Sequence, residues 1–107
     1  MNQQQHTMIS ALKEVASHVL PQGAHAWLYG SQARGEAHNG SDWNLLILIN
    51  KDAIASADED SISYPFVEMG WKNSAVVSPV LYTYQEWAQR KNSFFWTSVE
   101  QDKVAIL

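Results

Sequence analysis

The feature that most constrains the fold of this chain is the segment 28–50, in which short polar motifs separate two apolar stretches. Every side chain from Leu45 to Ile49 is apolar, and such a run predicts a strand that lies centrally in a sheet and is covered on both faces. The stretch 25–29 predicts a second strand, which ends at the Gly30-Ser31 turn because glycine allows the backbone to bend sharply. The rest of the chain must pack around these two strands and their polar connection.

Helices and strands alternate along the sequence. Apolar residues at helical spacing predict a first helix, which the segment 21–23 ends with a proline and a glycine. Pro65 predicts a break near Ser63 in a later helix, and Pro79 predicts an edge position or a bulge for its strand. In chain order, we expect a helix over 4–19, a strand over 25–29, a short helix capped by Ser31 and running through Gly35, a loop over 36–40, a strand over 42–50, a helix from Asp52 as N-cap towards Trp71, a strand over 75–83, helices over 84–90 and 94–101, and a strand over 104–107. The fold class is therefore α/β, with residues 1–107 in a single domain that has one mixed β-sheet and flanking helices.

Composition and charge restrict the possible partners. The 107 residues carry a net charge of −4 and contain no cluster of Lys and Arg, so we expect no nucleic-acid partner. The absence of cysteine excludes disulfides, thiolate metal ligands and thiol catalysis. No apolar run is long enough to span a bilayer and the first residues do not resemble a signal peptide, so we expect a cytoplasmic protein without a membrane anchor. Five Trp residues in so short a chain are consistent with a homodimer.

Polar side chains cluster where the second strand opens. Asp42 and Asn44 leave the same face of a strand, whereas Trp43 points the other way. Asp42 is either a ligand for a hard cation or the residue that fixes the turn before the strand. In the short helix, the Ser31 hydroxyl and the first backbone N–H groups are suited to phosphate oxygens. Arg34 lies one turn later and either approaches those phosphates or braces the loop through a salt bridge.

Eight residues occur in the order of a known signature: Gly30, Ser31, Ala33, Arg34, Gly35, Ala37, Ser41 and Asp42. This order resembles the polymerase-beta-type nucleotidyltransferase superfamily, in particular its minimal single-domain bacterial members. The resemblance implies transfer of a nucleoside monophosphate from a nucleoside triphosphate such as ATP to a hydroxyl or similar acceptor. It also implies the roles of the motif residues: Gly30, Ser31, Arg34 and Ser41 bind the nucleotide, and Asp42 and Asn44 occupy the catalytic, magnesium-binding positions. Minimal members often work beside a small helical protein, so a partner of that kind is expected.

The chain departs from the family pattern at its carboxylates. The family has an acid where this chain has Asn44, and a third carboxylate on a later strand, which is most naturally the strand 75–83. That strand contains no acid, and Ser78 is its only small polar residue near the centre. The nearest acids, Glu68 and Glu86, are predicted on helices. We therefore expect weak or absent magnesium binding, and two alternatives stay open: a magnesium-dependent nucleotidyltransferase with a weakened metal site, or an inactive relative that binds a nucleotide or a protein.

Other candidate residues have simpler interpretations. A loop histidine such as His38 is more often solvated than catalytic. Tyr29 could stack on a nucleobase, although a strand tyrosine more often packs in the core. The acidic stretch 58–60 is typical of a solvated helix face, and Glu68 is expected to pair with Lys72 one helical turn later.

Overall fold

The computed structural model of the chain describes residues 3–38 and 40–107. Within these residues, the elements in chain order are α1 (Gln3–Val19), β1 (His25–Tyr29), α2 (Ser31–Arg34), β2 (Trp43–Ile49), α3 (Ser56–Asp58), a π-helical turn (Glu59–Ser63), α4 (Tyr64–Lys72), β3 (Val77–Thr83), α5 (Tyr84–Gln89), α6 (Phe94–Asp102) and β4 (Val104–Ala105). Each strand predicted from the sequence is present, although β2, β3 and β4 are shorter than expected. The predicted loop 36–40 is irregular as far as it is described, and its residue 39 lies outside the described residues.

The four described strands form one mixed sheet in the order β3-β2-β1-β4. Strand β2 is antiparallel to β1 and parallel to β3, and β4 adds to the other side of β1 in the antiparallel direction. The predicted α/β fold with a mixed sheet is therefore confirmed. Pro79 lies on the edge strand β3, where the loss of its backbone donor is tolerated.

The alternation of side chains along β2 divides the core into two layers. Leu45, Ile47 and Ile49 pack against buried residues of α1 and α4, which cover one face of the sheet. Leu46 and Leu48 pack against Trp87 of α5 and Val99 of α6 on the other face. All five side chains of the run are buried, which is why this strand has no polar face. The sheet is thus sandwiched between helices, as the sequence predicted.

The helical region after β2 differs from the expectation in where it begins. Asp52 is exposed and is not the N-cap; helix α3 begins at Ser56, with Ala55 at the cap position. Asp58 fixes this start, because its carboxylate accepts the Ala55 N–H at 2.8 Å and pairs with Lys51 Nζ at 2.9 Å. This role of Asp58 could not be predicted from the sequence, because its carboxylate lies inside the helix and bonds to a residue that precedes it in the chain.

The predicted break before Pro65 is present as a π-helical turn. This turn covers Glu59–Ser63 and leads into α4, with Pro65 in the first turn of that helix. Proline has no N–H to donate and its ring clashes with the preceding turn, so the wider π turn accommodates it without ending the helical path. The Ser63 hydroxyl is buried there, and no residue of the described part of the chain hydrogen-bonds to it.

Of the two remaining helix caps predicted from the sequence, one is present and the other is not. Thr83 and Glu86 form the predicted capping box: Thr83 Oγ1 accepts the Glu86 N–H at 3.0 Å and Glu86 Oε1 accepts the Thr83 N–H at 2.9 Å. Ser31, in contrast, is the first residue of α2 and not its cap; Gly30 occupies the cap position, without a side-chain hydrogen bond. Among the described helices, none is long and apolar enough to cross a membrane.

Candidate functional site

The centre of the candidate site is the turn that follows β1. Gly30 has a φ of +82° and a ψ of −159°, a conformation that is strained for any residue with a Cβ. A Cβ added at Gly30 would lie only 2.9 Å from Nδ2 of Asn44. The glycine therefore has two reasons to be there: the backbone conformation, and the close approach of the turn to the Asn44 side chain.

Neutral side chains occupy the strand positions beside this turn. Asn44 lies opposite Tyr29 on β1 and opposite Ser78 on β3. Asn44 and Ser78 are both partly buried. By alternation, Asn44 belongs to the face of β2 that α5 and α6 cover, whereas its neighbour Trp43 is buried in the α1 layer. The strand position beside Asn44 is thus a serine, where the family resemblance led us to look for a carboxylate.

Asp42 is exposed and directly precedes β2. Among the described residues, no three His, Cys, Asp or Glu side chains come together in a way that could hold a metal ion. The predicted polar pair therefore contributes one carboxylate and one carboxamide, next to a hydroxyl from Ser78. Such a set can coordinate a hard cation through oxygen, but it carries a single negative charge.

Arg34 braces the motif. Its guanidinium pairs with Glu36 in the adjacent loop and, at 2.6 Å, with Asp102 at the end of α6. Hydrogen bonds to Glu36 and Asp102 raise the pKa of Arg34 above its ordinary value. Of the two roles open from the sequence, the observed one is the salt bridge. It ties α2 to the last residue of α6, which is 68 residues further along the chain.

Ser41 closes a turn just before Asp42. Its hydroxyl accepts the His38 N–H at 3.1 Å, and its own N–H donates to the His38 carbonyl at 3.0 Å. Behind this turn lies Gln32, whose side chain is buried and donates to the Ser41 carbonyl at 3.3 Å. Gln32 also accepts from Gln5 of α1 at 3.3 Å. Sequence reasoning missed Gln32, because a glutamine between Ser31 and Ala33 gives no signal of burial.

Two further residues considered from the sequence, Tyr29 and Glu68, have structural roles. Tyr29 packs edge-on against Phe95, with ring centroids 5.7 Å apart, and burial together with the nearby Tyr82 raises its pKa. This agrees with a packing role for Tyr29. Glu68 lies 4.0 Å from Lys72, the predicted pair one turn apart.

The structure thus gathers part of the predicted site. Gly30 and Asn44 are in contact range, Ser31 begins α2 directly after the turn, and Asp42 and Ser41 lead into the same strand end. Arg34 points its charge to Glu36 and Asp102. The site therefore lies at the end of the central strand β2, beside a glycine turn.

The sequence matches the nucleotidyltransferase domain family over residues 8–104, so the chain belongs to that family. No curated protein matches the sequence significantly. Solved structures share the fold. Among them is a crystal structure of a toxin–antitoxin with AMP-PNP (TM-score 0.65, 13% identity, covering 92% of this chain and 72% of that chain). Another is a proposed nucleotidyltransferase from Sulfolobus solfataricus (TM-score 0.63, 21% identity, covering 95% of this chain and 81% of that chain).

Proposed function

We propose that this protein binds a nucleoside triphosphate, with ATP the first candidate, where the Gly30 turn meets Asn44 and Asp42. There it transfers the nucleoside monophosphate to an acceptor hydroxyl. The observation that carries this proposal is the close approach of Gly30 to Asn44, which leaves no room for a Cβ and brings the turn next to the strand end. Membership of the nucleotidyltransferase domain family supports the reaction type.

The phosphate groups are held mainly by neutral donors. The first hydrogen bond of α2 runs from the Arg34 N–H to the Gly30 carbonyl at 3.1 Å, so the N–H groups before Arg34 and the Ser31 hydroxyl are suited to phosphate oxygens. Arg34 adds little positive charge, because two carboxylates already neutralise it. The charge of a triphosphate at this turn therefore has to be balanced by a cation that arrives with it.

The oxygen ligands at the strand end fit one magnesium ion better than two. Magnesium usually keeps several waters and takes one or two carboxylates together with substrate phosphates. Asp42 supplies the carboxylate, and the Asn44 amide oxygen and the Ser78 hydroxyl are neutral ligands of the right type. A magnesium ion in this position would neutralise charge on the phosphates. Because only one protein charge holds it, its affinity depends on the nucleotide.

The transfer itself is expected to be slow. The acceptor oxygen forms a bond to the α-phosphorus while the bond to the pyrophosphate leaving group breaks, and the acceptor proton needs a base. Strand β3 offers Ser78 beside Asn44 and no carboxylate. Positioning and charge neutralisation therefore remain, whereas general-base assistance from this strand is lost.

A second candidate function is nucleotide or protein binding without transfer. The Asn44–Ser78 pair favours it, because both positions next to Asp42 are uncharged. One structural relative is a toxin–antitoxin, which makes a protein partner a concrete possibility for this chain, either a small helical protein or a second copy of the chain itself.

Thermal unfolding with ATP or GTP, each with and without magnesium, tests the proposal. A ligand that binds only the native state raises the midpoint by mass action. We expect a small rise with nucleotide alone and a modest further rise with magnesium. Asp42→Ala should remove the magnesium-dependent part, whereas Asp52→Ala, which removes an exposed acid outside the site, should not.

Asn44→Asp is the complementary variant. It should increase the magnesium-dependent rise, because it restores a second charge beside Asp42. Release of pyrophosphate from ATP in the presence of acceptor candidates then separates the two functions: transfer supports the enzyme, and binding without pyrophosphate supports the second candidate. If no nucleotide shifts the midpoint of the wild-type protein or of Asn44→Asp, the site is wrongly placed.

A further inference from the structure

A small pocket lies on the other side of β2 from Asn44. Its volume is about 180 Å³, and its walls come from the first half of α1, the turn before β2 and the connection between α4 and β3. Trp43 lines it, and Trp43 and Asn44 point to opposite faces of the strand. Ser41 lines it as well, so the pocket reaches the residue next to Asp42.

The lining is mainly neutral and polar. It includes carboxamides from Gln4, Gln32 and Asn73 and hydroxyls from Thr7 and Ser41; none of the described lining residues is Asp, Glu, Lys or Arg, and His38 is the titratable side chain among them. A phosphate or a carboxylate would lose its hydration here without a Lys or Arg to supply a countercharge. A neutral ligand has a much smaller hydration energy to lose, and its hydrogen-bonding groups can pair with the carboxamides and hydroxyls of the lining.

The wall on the motif side is rigid. Gln32 is buried and held between the Ser41 carbonyl and the Gln5 side chain, so its amide is fixed by two hydrogen bonds. Trp43 and Met8 are buried too and provide the apolar surface of the pocket. The pocket therefore combines buried apolar side chains with one carboxamide that is already held in place.

Size and chemistry together define the ligand class. A volume of 180 Å³ equals that of about six water molecules and is below the range of roughly 300–1,000 Å³ that is typical of sites for larger ligands. A whole nucleotide does not fit, whereas one planar ring system does. Side-chain carboxamides match the paired donor and acceptor atoms at the edge of a nucleobase.

We propose that this pocket binds a neutral nucleobase. The base belongs either to the nucleoside triphosphate itself or to a nucleoside that serves as the acceptor. Its link to transfer rests on the proposed function, whereas the binding of a free nucleoside does not.

The test titrates adenosine, guanosine, cytidine and uridine into the full chain and follows the Trp43 indole and the Gln32 side-chain amide by NMR. We expect at least one nucleoside to shift both signals, with a Kd on the order of 1 mM for so small a ligand. Thr7→Trp should weaken that binding at least tenfold, because Thr7 is an exposed residue of α1 whose enlarged side chain would fill the pocket. Ser10→Trp is the matched control: it is exposed on the same helix but does not line the pocket, and should bind as the wild type does.

Competition with AMP-PNP and magnesium identifies the source of the base. If AMP-PNP displaces the nucleoside, the pocket holds the base of the nucleotide; if both bind together, it holds a separate nucleoside. Either result supports the pocket as a base site. Nucleoside binding that survives Asp42→Ala, when magnesium-dependent ATP binding does not, separates this site from the phosphate site. The proposal is overturned if no nucleoside shifts these two signals, or if Thr7→Trp and the wild type bind it equally well.

Discussion

Replacing Gly30 by alanine should damage both the stability of the fold and the geometry of the candidate site. The backbone at Gly30 has a φ of +82° and a ψ of −159°, a region that is essentially restricted to glycine. Holding an alanine there costs about 1–3 kcal/mol of the free energy of unfolding. The new Cβ would also lie 2.9 Å from the Asn44 amide, so that side chain must move.

Gly35→Ala is the matched control for this substitution. Gly35 also has a positive φ, +74°, but in the left-handed helical region, and an added Cβ would meet nothing within 4 Å. We expect Gly35→Ala to lower the free energy of unfolding by about 1–2 kcal/mol through the backbone conformation, with no added cost from a steric clash. Gly30→Ala should therefore cost more than Gly35→Ala, by about 1 kcal/mol or more once the displacement of Asn44 is included.

Urea unfolding of the two variants, of Asn44→Ala and of the double variant Gly30→Ala/Asn44→Ala measures these differences. With a slope of about 1–3 kcal/mol per molar urea for a small protein, each kcal/mol shifts the urea midpoint by roughly 0.3–1 M, which is well resolved. Removing the Asn44 side chain should relieve part of the Gly30→Ala cost, giving a coupling of at least about 0.5 kcal/mol. The reasoning is refuted if Gly30→Ala costs no more than Gly35→Ala, or if the double variant is simply additive.

Three further substitutions test the packing around the sheet. Thr83→Ala removes the capping box of α5 and should lower the free energy of unfolding by about 1 kcal/mol, measured by urea unfolding; an unchanged value would mean that the cap is not stabilising. Gly70→Ala places a Cβ 2.8 Å from Cγ2 of Val77 and 3.1 Å from the Ala75 carbonyl. Although alanine favours helix, this crowding should lower the free energy of unfolding by about 1–3 kcal/mol in the same assay. A gain in stability would contradict the close packing of α4 on β3. Burial raises the pKa of Glu100, but hydrogen bonds from Lys103 and Trp87 outweigh the effect of burial and leave the pKa below its ordinary value of 4.5. The ionised carboxylate therefore stabilises the fold above pH 4.5, and this stabilisation is lost as the pH falls through the lowered pKa. Glu100→Gln should therefore be less stable than the wild type at neutral pH, with the difference shrinking below about pH 4.5; a difference that does not change with pH would exclude this origin.

The frame of the fold could be predicted from the sequence because its signals are local. The apolar run of β2, the prolines and the Thr83-Glu86 spacing each depend on neighbouring residues, and each is confirmed. The start of α3 could not be predicted, since Asp58 caps it from within the helix and holds Lys51 as well. Interactions that a residue makes backwards along the chain leave little trace in residue order.

The candidate site was predictable in its residues but less so in their partners. Gly30 and Asn44 follow from the motif, yet their contact depends on the antiparallel register of β1 and β2. The role of Arg34 was ambiguous because Asp102 lies far away in the sequence and reaches it only through the packing of α6. Gln32 and the pocket behind it were invisible, since burial of a polar side chain depends on three separate elements meeting there.

Because Asn44 and Ser78 are both neutral, the stability of the unliganded fold should not depend on divalent metal ions. Acids at both positions would repel each other and Asp42, and the native state would gain from any divalent ion that relieved the repulsion. With an amide and a hydroxyl instead, no such strain arises at the strand ends. Chelators should leave the unliganded fold untouched, so the domain keeps its shape when magnesium is scarce.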